Sequence, residues 1–168
     1  MGNSFKIIGY AGGIKDSTLT MIGSFGALFN GCCKIIFATA LDYYPFKKVY
    51  AVISVCMITS LIMVHYTQTS PVGFGACIFV ALMCDGSITS MLPAVTLGVF
   101  GFKRGNQVYS YMYSVFALAA MSGTFLVKTI QLSIGYNGML NVCVGFSLVA
   151  ALLAYLYKVE RISYSDIN

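Results

Sequence analysis

The stretch STLTMIGSFGALFNGCCKIIFATAL, residues 17–41, decides what kind of protein this is. It holds one charged side chain, Lys34, and outruns the ~20 apolar residues that a helix needs to cross the hydrocarbon core of a bilayer. Directly after it comes DYYPFKK, residues 42–48, in which Pro45 stops a helix and Lys47 and Lys48 bring the first paired charge. The pattern then repeats. Apolar runs cover about 49–66, 72–95, 107–132 and 138–157, separated by Thr69-Ser-Pro71, Lys103-Arg-Gly-Asn106 and Gly135-Tyr-Asn-Gly138. Lipid offers backbone groups no hydrogen bonds, so each run must satisfy its own as a helix. The sequence therefore predicts an all-α membrane protein with five transmembrane helices. Residues 1–168 form one membrane domain, with an extracytoplasmic lead-in at 1–16, too short and too polar for a sixth span, and a cytosolic tail at 158–168.

Composition agrees. The chain is 58% hydrophobic and only 9% charged, against ~25% charge in an ordinary soluble domain. That excludes a soluble enzyme, and it excludes disorder, which needs low hydrophobicity. No P-loop, GxSxG, HExxH or dinucleotide fingerprint occurs, so no enzyme activity, catalytic residue or cofactor is expected. The six cysteines, Cys32, Cys33, Cys56, Cys77, Cys84 and Cys143, all fall within apolar runs, and none forms a CxxC pair. With His65 as the single histidine they make no metal site and read as small packing residues. The net charge of +5 resides mainly in the connections, so nucleic acid is not an expected partner.

Charge sets the orientation. The connections at 42–48 and 102–106 and the tail hold Lys47, Lys48, Lys103, Arg104, Lys158 and Arg161; the connections at 67–71 and 133–137 hold no Lys or Arg. The basic sites therefore belong in the cytosol. Lys6 and Lys15 fall on the other side and oppose the rule mildly.

Ionisable groups inside the spans need a reason, since one at mid-membrane costs ~2.5–3.5 kcal/mol on insertion scales. Lys34 lies roughly 7–8 Å on the cytosolic side of the middle of its span, and Asp85 lies near the middle of the third. In one reading the two line a polar cavity that handles an anion or a proton. In the other, Lys34 snorkels to the inner interface and Asp85 is held neutral by burial. Lys128 sits about one turn from the outer end of its span and snorkels easily. Gly23, Ala27 and Gly31 recur on one helix face, a stripe that predicts close contact with a neighbouring helix. Pro93 frees a carbonyl near the inner end of the third span.

The stretch Gly26-Ala-Leu-Phe-Asn30-Gly-Cys-Cys-Lys34-Ile-Ile-Phe-Ala-Thr-Ala-Leu-Asp42-Tyr-Tyr-Pro-Phe-Lys47-Lys48 resembles the eighth helix and following loop of major facilitator superfamily transporters, in the oxalate/formate antiporter-like or monocarboxylate transporter-like branch. There the pattern is approximately Asn-Gly-x-x-Arg, then Gly-x-x-x-Asp and a Gly-Arg-Lys loop; here Lys34 replaces the Arg, Ala38 the Gly, and Pro45-Phe46 the loop Gly and its basic neighbour. Leu92–Gly101 is similar to the end of helix ten, Tyr109–Tyr113 to the start of helix eleven, and Gly135–Met139 to the entry of helix twelve. The resemblance covers about residues 8–157 and implies that the five spans are helices eight to twelve of that fold. It places Lys34 in the central cavity as an anion-binding cation, with Asn30 and Asp85 nearby. It puts Phe116 where oxalate-type members carry a cavity lysine, and gives Asp42, Lys47 and Lys48 the cytosolic gate contact.

The expected function is transmembrane transport of a small, monocarboxylate-like organic anion, as the C-terminal part of a secondary transporter, with Asp85 tuning Lys34 or carrying a coupling proton. The partners are then the anion, the bilayer, and a missing N-terminal half or a second copy. The alternative is a non-transporting remnant or accessory subunit that packs against a partner bundle. Both place the chain as a multi-pass integral membrane protein.

Overall fold

A computed structural model describes residues 4–156, apart from the side chains at 127, 128, 130–134, 136 and 137. The tail at 158–168, the last residue of the fifth span and the side chain of Lys128 lie outside the described residues. Among the described residues every regular element is helical: α1 (Ser4–Ala11), α2 (Asp16–Tyr43), α3 (Phe46–Thr67) and a long run from Pro71 to Leu156.

That run is not one rod. Its backbone leaves helical geometry at Gly101 (φ 73°, ψ 170°) and Gly135 (φ 74°, ψ −175°), a region essentially closed to residues with a Cβ. Nine residues of unbroken helix would carry Gly105 about 13 Å from Thr96. Instead a Cβ on Gly105 would stand 2.9 Å from the Thr96 carbonyl oxygen and 3.0 Å from the Leu97 Cα, so the chain doubles back at Gly101. The run therefore comprises α4 (71–100), α5 (102–134) and α6 (136–156). With α2 and α3 these make five helices of membrane length, and the apolar stretches Asp16–Tyr43, Phe46–Thr67, Pro71–Leu126 and Gly138–Leu156 are all hydropathic enough to cross a bilayer. The chain is an all-α membrane protein fold, as the sequence predicts.

Two differences from the expected boundaries have a physical cause. Residues 103–106 and 136–138 are helical rather than loop, because a single glycine at each joint makes the turn. The lead-in is no mere loop, since α1 turns Phe5 and Ile8 inward, and Ile14 beyond it is also buried.

The core falls into two parts. At one end Phe5, Ile8, Leu19, Ile22, Val64 and Phe74 pack together with Met139 and Leu140 from the start of α6. At the other, Val49, Ile53, Cys84 and Met91 pack with Phe37, Leu41 and Phe46. Helices α2 and α4 run side by side in one direction: Ile22 meets Gly75, Gly26 meets Leu82, and Asn30 meets Gly86. Helix α6 returns alongside α3, from the Val64 region to Tyr155, whose carbonyl accepts a hydrogen bond from Lys47 Nζ at 3.1 Å. The connections bearing Lys47, Lys48, Lys103 and Arg104 thus gather at the end where α6 finishes.

Helix α5 departs from this pattern. After Gly105, and through Leu126, none of its residues is buried, and Phe125, Leu118 and Val115 stand open.

Candidate functional site

The polar feature within the spans is one face of α2. Thr20, Ser24, Ala27, Asn30, Gly31 and Lys34 follow helical spacing and share that face. Its outer two-thirds form the floor of an open cleft of about 450 Å³, walled by Phe5 and Lys6 of α1 and by Leu82 of α4. Helix α1 sits there because Phe5 and Ile8 reach the core, and docking them carries Lys6 over α2. The Lys6 ammonium donates to the Thr20 hydroxyl at 3.0 Å and lies 3.6 Å from the Asp16 carboxylate. Tyr10 donates to Asp16 as well. That hydrogen bond first, and the Lys6 charge second, hold the Asp16 carboxyl below the usual carboxylate range. The same bond pushes the Tyr10 hydroxyl up. Tyr10 lies in α1, and Asp16 is the first residue of α2, ahead of the apolar run at 17–41.

Asn30 closes the inner end of the cleft. Its amide donates to the Leu82 carbonyl at 2.6 Å, clamping α2 to α4. Gly86 makes the approach possible: a Cβ there would stand 2.7 Å from the Asn30 carbonyl oxygen and 2.8 Å from its side-chain amide. Asn30 is therefore a helix clamp that also lines the cleft.

Of the four residues expected to bind substrate, the structure brings only Asn30 to the cleft. Lys34 lies one turn beyond it on the same face and is exposed; Asp85 is exposed on α4, next to Gly86. They are not joined: among the described residues the one ion pair is Lys6 with Asp16. Asp85 is exposed beside the Gly86 contact with α2 rather than buried in the bundle. Phe116 is 43% exposed on α5, and its ring packs on Tyr113 of the same helix, centroids 5.9 Å apart. Asp42, Lys47 and Lys48 lie together at the basic end, where Lys47 is committed to the Tyr155 carbonyl.

The small-residue stripe is also corrected. Gly23 meets the Phe5 ring of α1 and lines the cleft with Ala27, while Gly31 has nothing within 4 Å, so the stripe makes no close contact with another membrane-length helix among the described residues. The close helix contact uses Gly26, on the adjacent face. Sequence reasoning missed Lys6, Thr20 and Ser24. The signal was present as the spacing from Thr20 to Asn30 along one face, but nothing local told that α1 folds back over it.

Two of the cysteines, Cys33 and Cys84, are buried, as packing residues should be, while Cys32 and Cys56 face outward. His65 is exposed at the far end of α3, edge-on to Tyr66. Among the described residues no three His, Cys, Asp or Glu side chains converge as a metal site would require. In comparisons with known proteins, no family model, no curated protein and no solved structure matches the chain.

Proposed function

We propose that this chain is the substrate-binding bundle of a secondary transporter for small organic anions of the monocarboxylate type, and that Lys34 is the cation that receives the carboxylate. The observation that carries the proposal is Lys34 itself: a cation within an apolar span, exposed, without an ion-pair partner among the described residues, on the face of α2 that floors the polar cleft. Such a charge is costly in lipid and cheap in a wet cavity shared with a second bundle. Thr20, Ser24 and Asn30 add hydrogen-bonding groups along the route, and Lys6 adds a second cation at its mouth. In this reading Asp85 tunes Lys34 or carries a proton, and Asp42 with Lys47 and Lys48 belongs to the gate at the basic end. The resemblance to the major facilitator superfamily points the same way.

Helix α5 supports the need for a second bundle. It carries Ser110, Ser114, Ala117 and Thr124 on one face, residues that let another helix approach, and all four are exposed. That observation equally favours the second reading, an accessory membrane subunit that packs on a partner without transporting.

One experiment separates the two. The chain in lipid nanodiscs is titrated with lactate, pyruvate and formate, and binding is read by saturation-transfer NMR. The transporter reading expects saturable binding that Lys34→Gln abolishes and that Lys34→Arg keeps. Binding indifferent to Lys34 overturns its role, and no binding of any of the three leaves the accessory reading standing.

A further inference from the structure

Between the first turns of α3, the last turns of α4 and the start of α5 lies a cavity of about 290 Å³. Its walls include Phe46, Tyr50, Met91, Val99, Phe100 and Met112. Thr96 also lines it, but the Thr96 hydroxyl is spent on the Leu92 and Pro93 carbonyls, each at 3.0 Å. The walls therefore ask for hydrocarbon. The cavity lies at the basic end. Lys47 and Lys48 directly follow Phe46, and Lys103 and Arg104 follow Phe100 by three and four residues. Lys47 is held by the Tyr155 carbonyl. Lys48, Lys103 and Arg104 are exposed and make no ion pair among the described residues. The one described carboxylate at that end is Asp42. An apolar slot whose wall residues Phe46 and Phe100 stand two to four residues from Lys48, Lys103 and Arg104, cations that make no ion pair among the described residues, matches a molecule with a hydrocarbon tail and an anionic head.

We infer that this cleft is a binding site for an anionic phospholipid of the inner leaflet, with one acyl chain between α3, α4 and α5 and its phosphate among Lys48, Lys103 and Arg104. Charge complementarity selects the occupant. The cytoplasmic leaflet is the anionic one, and basic pockets between helices on that side recognise its head groups. A free phosphate would leave the apolar walls unfilled, and a zwitterionic lipid would leave the cations uncompensated. The inference does not rest on the transport reading; it needs only the bilayer and the basic end.

The chain contains no tryptophan, which makes a direct test available. Phe100→Trp places one fluorophore in the cavity wall, Met112→Trp gives a second reporter on the α5 side, and Phe146→Trp, on the exposed part of α6, reports bulk lipid. Each variant is reconstituted in phosphatidylcholine with rising fractions of brominated-chain phosphatidylglycerol or brominated-chain phosphatidylcholine, and quenching is followed. Both cavity reporters should be quenched half-maximally at a much lower fraction of the anionic lipid, while Phe146→Trp should respond alike to the two. Adding Lys48→Gln with Arg104→Gln should weaken the anionic preference roughly fivefold per charge removed and leave the phosphatidylcholine curve where it was. Equal quenching by the two lipids at both cavity reporters overturns the inference. So does a preference that survives loss of the charges, and so does a cavity that neither lipid quenches, which would mean that protein fills it.

Discussion

Helices α4 and α5 are joined by one residue and carry similar numbers of small side chains, yet they lead opposite lives. Along α4, Phe74, Ile78, Ala81, Cys84, Ser87 and Met91 are buried in sequence, one or two per turn, against α2 and α3. Along α5, no described side chain from 106 to 126 is buried, and the hydroxyls of Ser110, Ser114 and Thr124 bond back to their own helix, to the carbonyls of Asn106, Ser110 and Ala120. An apolar side chain alone does not tell core from surface here, because lipid is as good a solvent for Leu and Phe as a core is. What separates them is close approach. Helix α4 meets a neighbour at Gly86, and α5 at the equivalent depth meets nothing.

The comparison can be broken most sharply with one substitution in each helix. Gly86→Val should destabilise the chain by about 3 kcal/mol, the upper end for overpacking, because its Cβ would meet the Asn30 backbone and amide. Gly123→Val in α5 has nothing within 4 Å to strike and should stay within about 0.5 kcal/mol of the parent. Unfolding in mixed micelles, followed by circular dichroism, measures both. An equal loss at Gly123 would show that α5 is packed after all.

The joint itself gives the next largest effect. Gly101→Ala places a Cβ on a backbone at φ 73° and should cost on the order of 1–3 kcal/mol. Three residues earlier, Gly98 is helical with open space around it, so Gly98→Ala should be neutral or stabilising by up to about 1 kcal/mol. Opposite signs within one turn are the expected result; matching signs would mean that the reversal lies elsewhere.

A smaller difference tests the clamp. Asn30→Ala removes the cross-helix bond to Leu82 and should cost about 1 kcal/mol, in the range measured for such bonds in membranes. Ser114→Ala removes only a bond within α5 and should cost less than half of that.

The smallest effect concerns α1. The Asp16 carboxyl is depressed, so its contribution is present above the ordinary carboxylate range and is lost as pH falls through its lowered value. The Tyr10 hydroxyl is raised, so its contribution is present below the ordinary phenol range and is lost as pH rises through its raised value. Docking of α1, read by protease protection around Ala11–Lys15, should therefore be best between those limits. Asp16→Asn should flatten the acid side of the profile, and an unchanged acid limb would remove Asp16 from the account.

Much of the fold was legible because lipid imposes it: the span positions, the punctuation at Pro45, Pro71 and Gly135, and the alternation of basic connections all follow from length, turn chemistry and charge. The site was legible only in part. Lys34 and Asp85 announced themselves as charges out of place, but their lateral placement depends on which faces of α2 and α4 meet, and that is settled by Gly26, Asn30 and Gly86 rather than by the more regular stripe of Gly23, Ala27 and Gly31. Lys6 was beyond reach for a different reason. Its place over Thr20 follows from the docking of Phe5 and Ile8, a tertiary event that an eight-residue helix does not advertise.

The two glycine joints have a mechanical consequence. Helix α5 is pinned at Gly101 below and at Gly135 above, so the line between its bearings coincides with its own long axis. Each bearing is one residue with two soft torsions, and among the described side chains from 106 to 126 none is buried and would have to let go for the shaft to roll. Turning the spindle would re-aim two faces that both stand open, Ser110, Ser114 and Thr124 on one and Tyr111, Leu118 and Phe125 on the other, while α4 and α6 stand still on either side.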